Sequence, residues 1–214
     1  VGELAGETIT YQPILSCLFP VGELAGKHLV TIEGLNQDRL SPIQQALVDW
    51  GATQCGFCTP GLVMSLTGYL LASPTAIDLE GVKTALHNNL CRCTGYGAIK
   101  RAALSLARSL GNRIEPNLEN WIAIGIVPEY FRDLPDRLRQ LPPTVLANDI
   151  TSPEFVIAGG TDVYVQHGDR LPDAAVRLLN PSAQMKGMRI EGDLLHIGAL
   201  TTFAEFASHP TARV

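Results

Sequence analysis

Four of the five cysteines fall in two short stretches, Gln54-Cys55-Gly56-Phe57-Cys58-Thr59-Pro60-Gly61 and Asn89-Leu90-Cys91-Arg92-Cys93-Thr94-Gly95-Tyr96. One pair has the spacing C-x-x-C and the other C-x-C, and the 32 residues between Cys58 and Cys91 read as two helices. Any fold for this chain must decide whether those helices return the second pair to the first. Thiolates at this spacing, with glycines beside both pairs, suit a metal centre better than disulfides. Such ligands select zinc, copper(I) or iron–sulfur clusters, and four of them complete a zinc site or a 2Fe–2S cluster. Spacing alone leaves both open, although C-x-C is a less usual zinc half-site. An odd cysteine count with four clustered does not describe a disulfide framework. A reducing, cytoplasmic compartment fits best. A thioredoxin-like use of Cys55 and Cys58 lacks the surrounding βαβ pattern.

The stretch around these pairs reads as four helices over residues 41–110. Ser41-Pro42-Ile43-Gln44 opens the first, with a serine cap, proline in the first turn and a glutamine placed to complete a capping box. Ile43, Ala46, Leu47 and Trp50 share one face, and Gly51 ends it. The second opens at Thr59-Pro60, carries Leu62, Val63, Leu66, Tyr69 and Leu70, and stops at Ser73-Pro74. The third begins near Asp78, with Leu79, Val82 and Leu86 inward. The fourth starts around Gly97, with the stripe Ile99, Ala102, Leu106 and Leu110, and closes at Gly111. Each cysteine pair then joins a helix pair. Antiparallel packing of the two hairpins brings both connections to one end. Gly56, Gly61, Gly95 and Gly97 are expected to let the backbone turn tightly around the sulfurs.

The flanks differ. Residues 1–36 alternate like strands at 7–12 and 27–33, with Cys17 between them. The hexapeptide Val-Gly-Glu-Leu-Ala-Gly occurs at 1–6 and again at 21–26, and two similar turns leading into strands account for it. Residues 112–152 read as a linker with a short helix from Leu134 to Leu141, broken by Leu141-Pro142-Pro143. Residues 153–214 read as α+β: a strand at 154–158 ending in Gly159-Gly160-Thr161-Asp162, a second at 174–179, a hairpin around Glu191-Gly192-Asp193, and a helix capped by Thr201 or Thr202. The glycine turn offers N–H groups to a phosphate but is not a Rossmann fingerprint.

Composition narrows the function. The net charge is −5 with mixed signs, so no basic patch implies nucleic acid. The most apolar short run, 121–127, is far below the ~20 residues that span a bilayer, and no membrane partner is expected. The five histidines are scattered and read as ordinary. No nucleophile–base set or P-loop appears, so no catalytic residue is expected.

QCGFCTPG followed by NLCRCTGY resembles the all-helical 2Fe–2S domain of the molybdenum hydroxylases, the family of xanthine dehydrogenase, aldehyde oxidoreductase and carbon monoxide dehydrogenase. The resemblance implies that Cys55, Cys58, Cys91 and Cys93 hold a 2Fe–2S cluster, with Gln54 and Cys93 lying against the molybdopterin of a large partner subunit. Cys17, in LSCLFPVGELAGKHLVTIEGL, is similar to the last cluster cysteine of the family's plant-ferredoxin-like domain. Its three partners would precede residue 1, so the chain reads as an internal fragment, and Cys17 alone cannot hold that cluster; by itself it reads as a buried thiol. VIAGGTDVYV and GDLLHIGALTTFAEF look like the first half of the family's FAD-binding domain. That implies flavin contacts from Ile157, Ala158, Gly159, Gly160, Thr161, Asp162 and Val163, with Asp162 stabilising the loop.

The expected architecture is therefore a multi-domain α+β chain. Residues 1–36 are the remnant of a β-grasp ferredoxin-like domain, 37–111 a four-helix 2Fe–2S domain, 112–152 a linker, and 153–214 the first part of an α+β FAD-binding domain. The implied role is xanthine dehydrogenase-like, in a hetero-oligomer: electrons pass from molybdopterin through two 2Fe–2S clusters of the full-length chain to FAD and then NAD. The same relay in an aldehyde or other heteroaromatic hydroxylase is the alternative within the family. A non-enzymatic zinc or redox-sensing module is the alternative outside it.

Overall fold

Ser41 opens the first helix by a reciprocal cap: its Oγ accepts the Gln44 N–H at 3.3 Å, and the Gln44 side chain accepts the Ser41 N–H at 2.8 Å. In a computed structural model that describes residues 1–73, 78–111, 113–142, 151–179 and 185–210, this cap begins α1, Pro42–Asp49. Helices α2 (Thr59–Ala72), α3 (Leu79–Ala85) and α4 (Gly97–Leu110) follow. All four fall where the apolar periodicity puts them. Asp78 caps α3 by accepting the Gly81 N–H at 2.6 Å. Pro74 lies outside the described residues.

The inward faces match the sequence with five exceptions, of which Ala46 and Leu86 are half-buried rather than buried. Ile43, Leu47, Leu62, Val63, Leu66, Leu70, Val82, Ile99, Ala102, Leu106 and Leu110 are buried. Trp50 and Leu79, expected inside, are 43% and 38% exposed. Both sit at helix ends, Trp50 just after α1 and Leu79 as the first residue of α3. Tyr69 is only half-buried. Its ring lies across Gly81, where a Cβ would meet the Tyr69 hydroxyl at 2.1 Å. Helix α4 packs on both α1 and α3, and α2 on α3. Each large side chain fully buried in this way contributes about 1.5–3 kcal/mol.

The N-terminal segment departs further from expectation. Strands β1 (Gly2–Ala5) and β2 (Thr8–Tyr11) form an antiparallel hairpin with Gly2 opposite Tyr11. Residues 27–33 are not a strand. Only His28 bridges to Gly2, through two backbone hydrogen bonds of 2.8 Å, and a 3-10 turn at Ile32–Leu35 follows. The turn buries Leu35 in the helical core, which a continued strand would leave on the edge. The repeated hexapeptide also takes two forms: the first copy supplies β1 and the second a 3-10 turn, Val21–Leu24. Only the first copy has a strand partner, and pairing decides the outcome.

Residues 113–142, within the segment 112–152 expected as linker, fold. Helix α5 (Leu118–Ala123) is capped by Asn117, a 3-10 turn spans Glu129–Asp133, and α6 (Leu134–Arg139) carries Pro135 in its first turn. Trp121, Ile126, Val127, Phe131 and Leu134 are buried in the same core as the four helices. The Tyr130 hydroxyl donates to the Gly34 carbonyl at 3.0 Å. The apolar run at 121–127 therefore serves as core, not as a break between domains. Residues 112 and 143–150 of the expected linker lie outside the described residues.

Two compact units result. One combines Val1–Ile14 with Leu24–Thr144, and the other Leu15–Glu23 with Val145–Val214. In the second unit β3 (Phe155–Ile157) pairs in parallel with β4 (Val176–Leu178), with α7 (Thr161–His167) following β3. Strands β5 (Met188–Glu191) and β6 (Leu194–Ile197) form the expected hairpin. Thr202 and Glu205 form a second reciprocal cap on α8, Phe203–Ser208. Cys17 belongs to this unit, in a 3-10 turn at Ser16–Leu18, and is exposed. Its reading as a buried thiol is corrected: the turn packs beside α7 but leaves the Cys17 side chain exposed. Among the described residues, no helix is long and apolar enough to cross a membrane.

Candidate metal centre

The C-x-x-C pair sits where α1 hands over to α2. Ala52 is fully buried, and its N–H binds the Leu47 carbonyl at 2.8 Å. That contact fixes where the chain leaves α1. Cys55 is exposed on the loop, while Cys58 is half-buried as the residue that precedes α2. Gly56, between them, takes φ +81°.

The C-x-C pair sits on the connection from α3 to α4, and side chains hold that loop down. Asn89 Nδ2 donates to Ser65 Oγ on α2 at 2.8 Å. A Cβ on Gly61 would meet Asn89 Oδ1 at 2.7 Å. Gly61 is thus no turn residue, as the sequence suggested, but a flat spot on α2 that admits Asn89. Gly97 is likewise the first residue of α4 rather than a turn. The turn is made by Gly95 and Tyr96, at φ +58° and +64°. Among the described residues Tyr96 is the only non-glycine with positive φ, a conformation that costs roughly 1–3 kcal/mol. Its hydroxyl accepts the Cys91 N–H at 2.9 Å, and its own N–H donates to Thr94 Oγ1 at 3.2 Å. Thr94 Oγ1 lies 3.1 Å from Cys91 Sγ.

All five cysteines are free. The two loops face each other: Cys55 and Cys93 shift each other's ionisation, and so do Cys58 and Cys91. Among the described residues no three His, Cys, Asp or Glu side chains close around a single point, so the thiols meet as two adjacent pairs. The pairs are electrically uneven. The Thr94 hydroxyl, and then its backbone N–H, bring Cys91 down to about 7. The Phe57 N–H, and then Cys93, lower Cys55. Burial, and then Cys91, raise Cys58. Cys55 raises Cys93. Each pair therefore holds one thiol poised to ionise beside one that gives up its proton less readily. Thiolates are the form a metal takes.

Gln54 and Arg92 are both exposed beside the pairs. The glycine turn lies in the other unit. Gly160, at φ +69°, precedes α7, and a Cβ there would meet the Tyr164 ring at 2.4 Å. Ile157 is buried, Ala158 and Val163 are half-buried, and Gly159, Thr161 and Asp162 are exposed. The Asp162 carboxylate accepts from Gln166 Nε2 at 2.8 Å, along its own helix. Sequence reasoning missed Ser65, Asn89, Thr94 and Tyr96 as parts of the centre. Three of these lie inside the quoted cysteine stretches, but nothing in residue type announces a positive φ at a tyrosine.

Residues 31–104 match the family described as the 2Fe–2S binding domain. This segment belongs to that family. The match takes in both cysteine pairs, Gln54, Asn89, Thr94 and Tyr96, and excludes Cys17 and the glycine turn. Three relatives set the 2Fe–2S binding domain in context. Aldehyde oxidase 1 of Rattus norvegicus is 40% identical over 107 residues, 49% of this chain and 8% of that protein. Xanthine dehydrogenase 1 of Arabidopsis thaliana is 38% identical over 105 residues, 48% of this chain and 8% of that protein. The nicotine 6-hydroxylase small subunit of Paenarthrobacter nicotinovorans is 42% identical over 100 residues, 47% of this chain and 60% of that protein. The 2Fe–2S binding domain and its surroundings thus span a small part of the two long relatives and more than half of the short one.

Proposed function

We propose that Cys55, Cys58, Cys91 and Cys93 hold one 2Fe–2S cluster, and that the chain is the electron-transfer portion of a molybdenum hydroxylase. The observation that carries this reading is the tie of the two loops: Asn89, beside the C-x-C pair, donates to Ser65 on α2, the helix that the C-x-x-C pair opens, so both pairs lie at one end of the bundle, close enough for Cys55 and Cys93, and Cys58 and Cys91, to shift each other's ionisation. A centre shared by both loops fits that arrangement, and two separate sites do not. The donor set is entirely thiolate, which suits iron–sulfur chemistry. The Thr94 hydroxyl lies 3.1 Å from the Cys91 sulfur, a polar contact of the kind that tunes an anionic cluster. When bound, such a cluster supplies one-electron acceptance and release. The residues of the chain supply ligands, hydrogen bonds and partial exclusion of water.

The finer reading extends beyond the matched segment. It gives the chain a molybdopterin-bearing large subunit in a hetero-oligomer, with Gln54 and Cys93 facing the pterin. Both are exposed, which leaves them available to a partner. It assigns FAD to the segment from Ile157 to Val163, supported by the strand, glycine turn and helix order there. It assigns Cys17 to a second, ferredoxin-type cluster of a longer protein. NAD as final acceptor and a purine substrate complete the xanthine dehydrogenase-like version. Aldehyde oxidases and xanthine dehydrogenases are alike in their similarity to this chain, so the substrate is proposed at the level of the class.

Iron, sulfide and zinc analysis of the anaerobically purified chain tests the reading. About two irons and two sulfides per chain are expected for one complete thiolate set. Zinc in their place, with refusal of iron–sulfide reconstitution, would leave a structural zinc module instead.

A further inference from the structure

Three hydrogen bonds form a closed circuit around the C-x-C pair. The Cys91 N–H donates to the Tyr96 hydroxyl at 2.9 Å, and the Tyr96 N–H donates to Thr94 Oγ1 at 3.2 Å. Thr94 Oγ1 returns to Cys91 Sγ at 3.1 Å. Either atom of the last bond could donate when Cys91 is a thiol, and ligation of Cys91 fixes the direction. Thr94 Oγ1 already accepts from Tyr96, so its own proton is free to donate. A metal-bound Cys91 is a thiolate with no proton to give, so the Thr94 hydroxyl must be the donor. The left-handed backbone at Gly95 turns the Tyr96 N–H onto Thr94, and the strained conformation kept at Tyr96 beside ligand residues points to a function for it.

We infer that Thr94 sets the reduction potential of the four-cysteine centre through its hydroxyl bond to the Cys91 sulfur, with Tyr96 as the positioning residue that holds the hydroxyl in place. A donor to a ligand sulfur stabilises the more negative, reduced state and so raises the potential. The bond is one-sided, because among the described residues Cys91 is the only cysteine with a side-chain hydroxyl partner. One electron enters on reduction, and no bond is made or broken at Thr94. The inference rests on the 2Fe–2S reading of the site.

The test is an anaerobic redox titration of the full chain, followed by the electron paramagnetic resonance signal of the reduced centre, in wild type, T94S, T94V and T94A. T94S keeps the hydroxyl and is expected to hold the wild-type midpoint. T94V and T94A are expected to shift the reduction equilibrium about tenfold toward the oxidised state, or ~59 mV for one electron. A wild-type midpoint in a loaded T94V or T94A overturns the inference and leaves the cluster reading intact. Loss of the centre from both, with T94S still loaded, also overturns it, since the hydroxyl would then serve assembly rather than potential. A wild-type chain that takes up no iron fails the cluster reading itself.

Discussion

Asn89 reaches across from the second cysteine loop to Ser65 on α2, with 2.8 Å between Asn89 Nδ2 and Ser65 Oγ. It can do so because Gly61, one helical turn earlier, has no side chain in the way. Ser65 and Asn89 are thus the side-chain tie between the C-x-C loop and the helix that begins after Cys58.

Two substitutions test that tie. Asn89→Ala removes one hydrogen bond and is expected to cost about 1 kcal/mol in denaturant unfolding. Gly61→Ala gives the helix a better helix former, worth up to ~1 kcal/mol by propensity. Its Cβ would nevertheless lie 2.7 Å from Asn89 Oδ1, so the account expects net destabilisation and faster loss of iron to a chelator. Stabilisation of Gly61→Ala with unchanged iron retention would show that the tie is unimportant.

Tyr96→Phe isolates the hydroxyl that accepts the Cys91 N–H. The ring stays against its half-buried surroundings, but the amide loses its acceptor. A cost of about 1–2 kcal/mol is expected, read from the thermal unfolding midpoint. No change would place water or another acceptor at that amide.

A pH dependence follows from His28. Its Nδ1 lies 3.0 Å from the Tyr11 hydroxyl, with Tyr130 and Phe131 edge-on to the ring. Burial first, and then the Val1 and Arg137 charges, bring it down to about 4 from an ordinary 6.5. The folded state therefore binds the proton less readily than the unfolded one. The contribution of neutral His28 is fully present above about 6.5 and is lost as the pH falls toward about 4. Denaturant unfolding followed by tryptophan fluorescence, which reports buried Trp121, is expected to show this decline between those limits. His28→Gln is expected to flatten it. An equal decline in both proteins would assign the effect to other groups.

The segment read as a linker gives the sharpest mutational contrast. Trp121 and Phe131 are 2% and 1% exposed. Trp121→Ala or Phe131→Ala is expected to cost about 3–5 kcal/mol, as large-to-small core changes do. Urea unfolding by circular dichroism measures it. A cost near zero would restore the linker.

Much of the helical unit was legible because its signals are local. Ser41-Pro42 with Gln44 specifies a cap, and Ile99, Ala102, Leu106 and Leu110 keep one helical face. The cysteine pairs announce shared ligation by spacing. What failed depends on distant partners. Residues 27–33 alternate like a strand, but only His28 finds a partner in Gly2. Trp121 opens an apolar run between polar segments and Phe131 lies among Pro128, Glu129, Arg132 and Asp133, so their burial appears only once Leu35 and the bundle are in place. The two copies of Val-Gly-Glu-Leu-Ala-Gly make the same point, since identical residues form a strand in one setting and a 3-10 turn in the other. Around the cysteines, ligand type was readable, while the Thr94–Tyr96 circuit needed backbone angles that no residue pattern encodes.

The central claim is that the facing thiol pairs hold one redox centre. An anaerobic visible spectrum of the full chain during stepwise dithionite addition tests it most directly. The account predicts a brown protein that bleaches after uptake of about one electron per chain, as expected for a single 2Fe–2S cluster. A colourless protein that takes up no electrons, even after reconstitution with iron and sulfide, would contradict it.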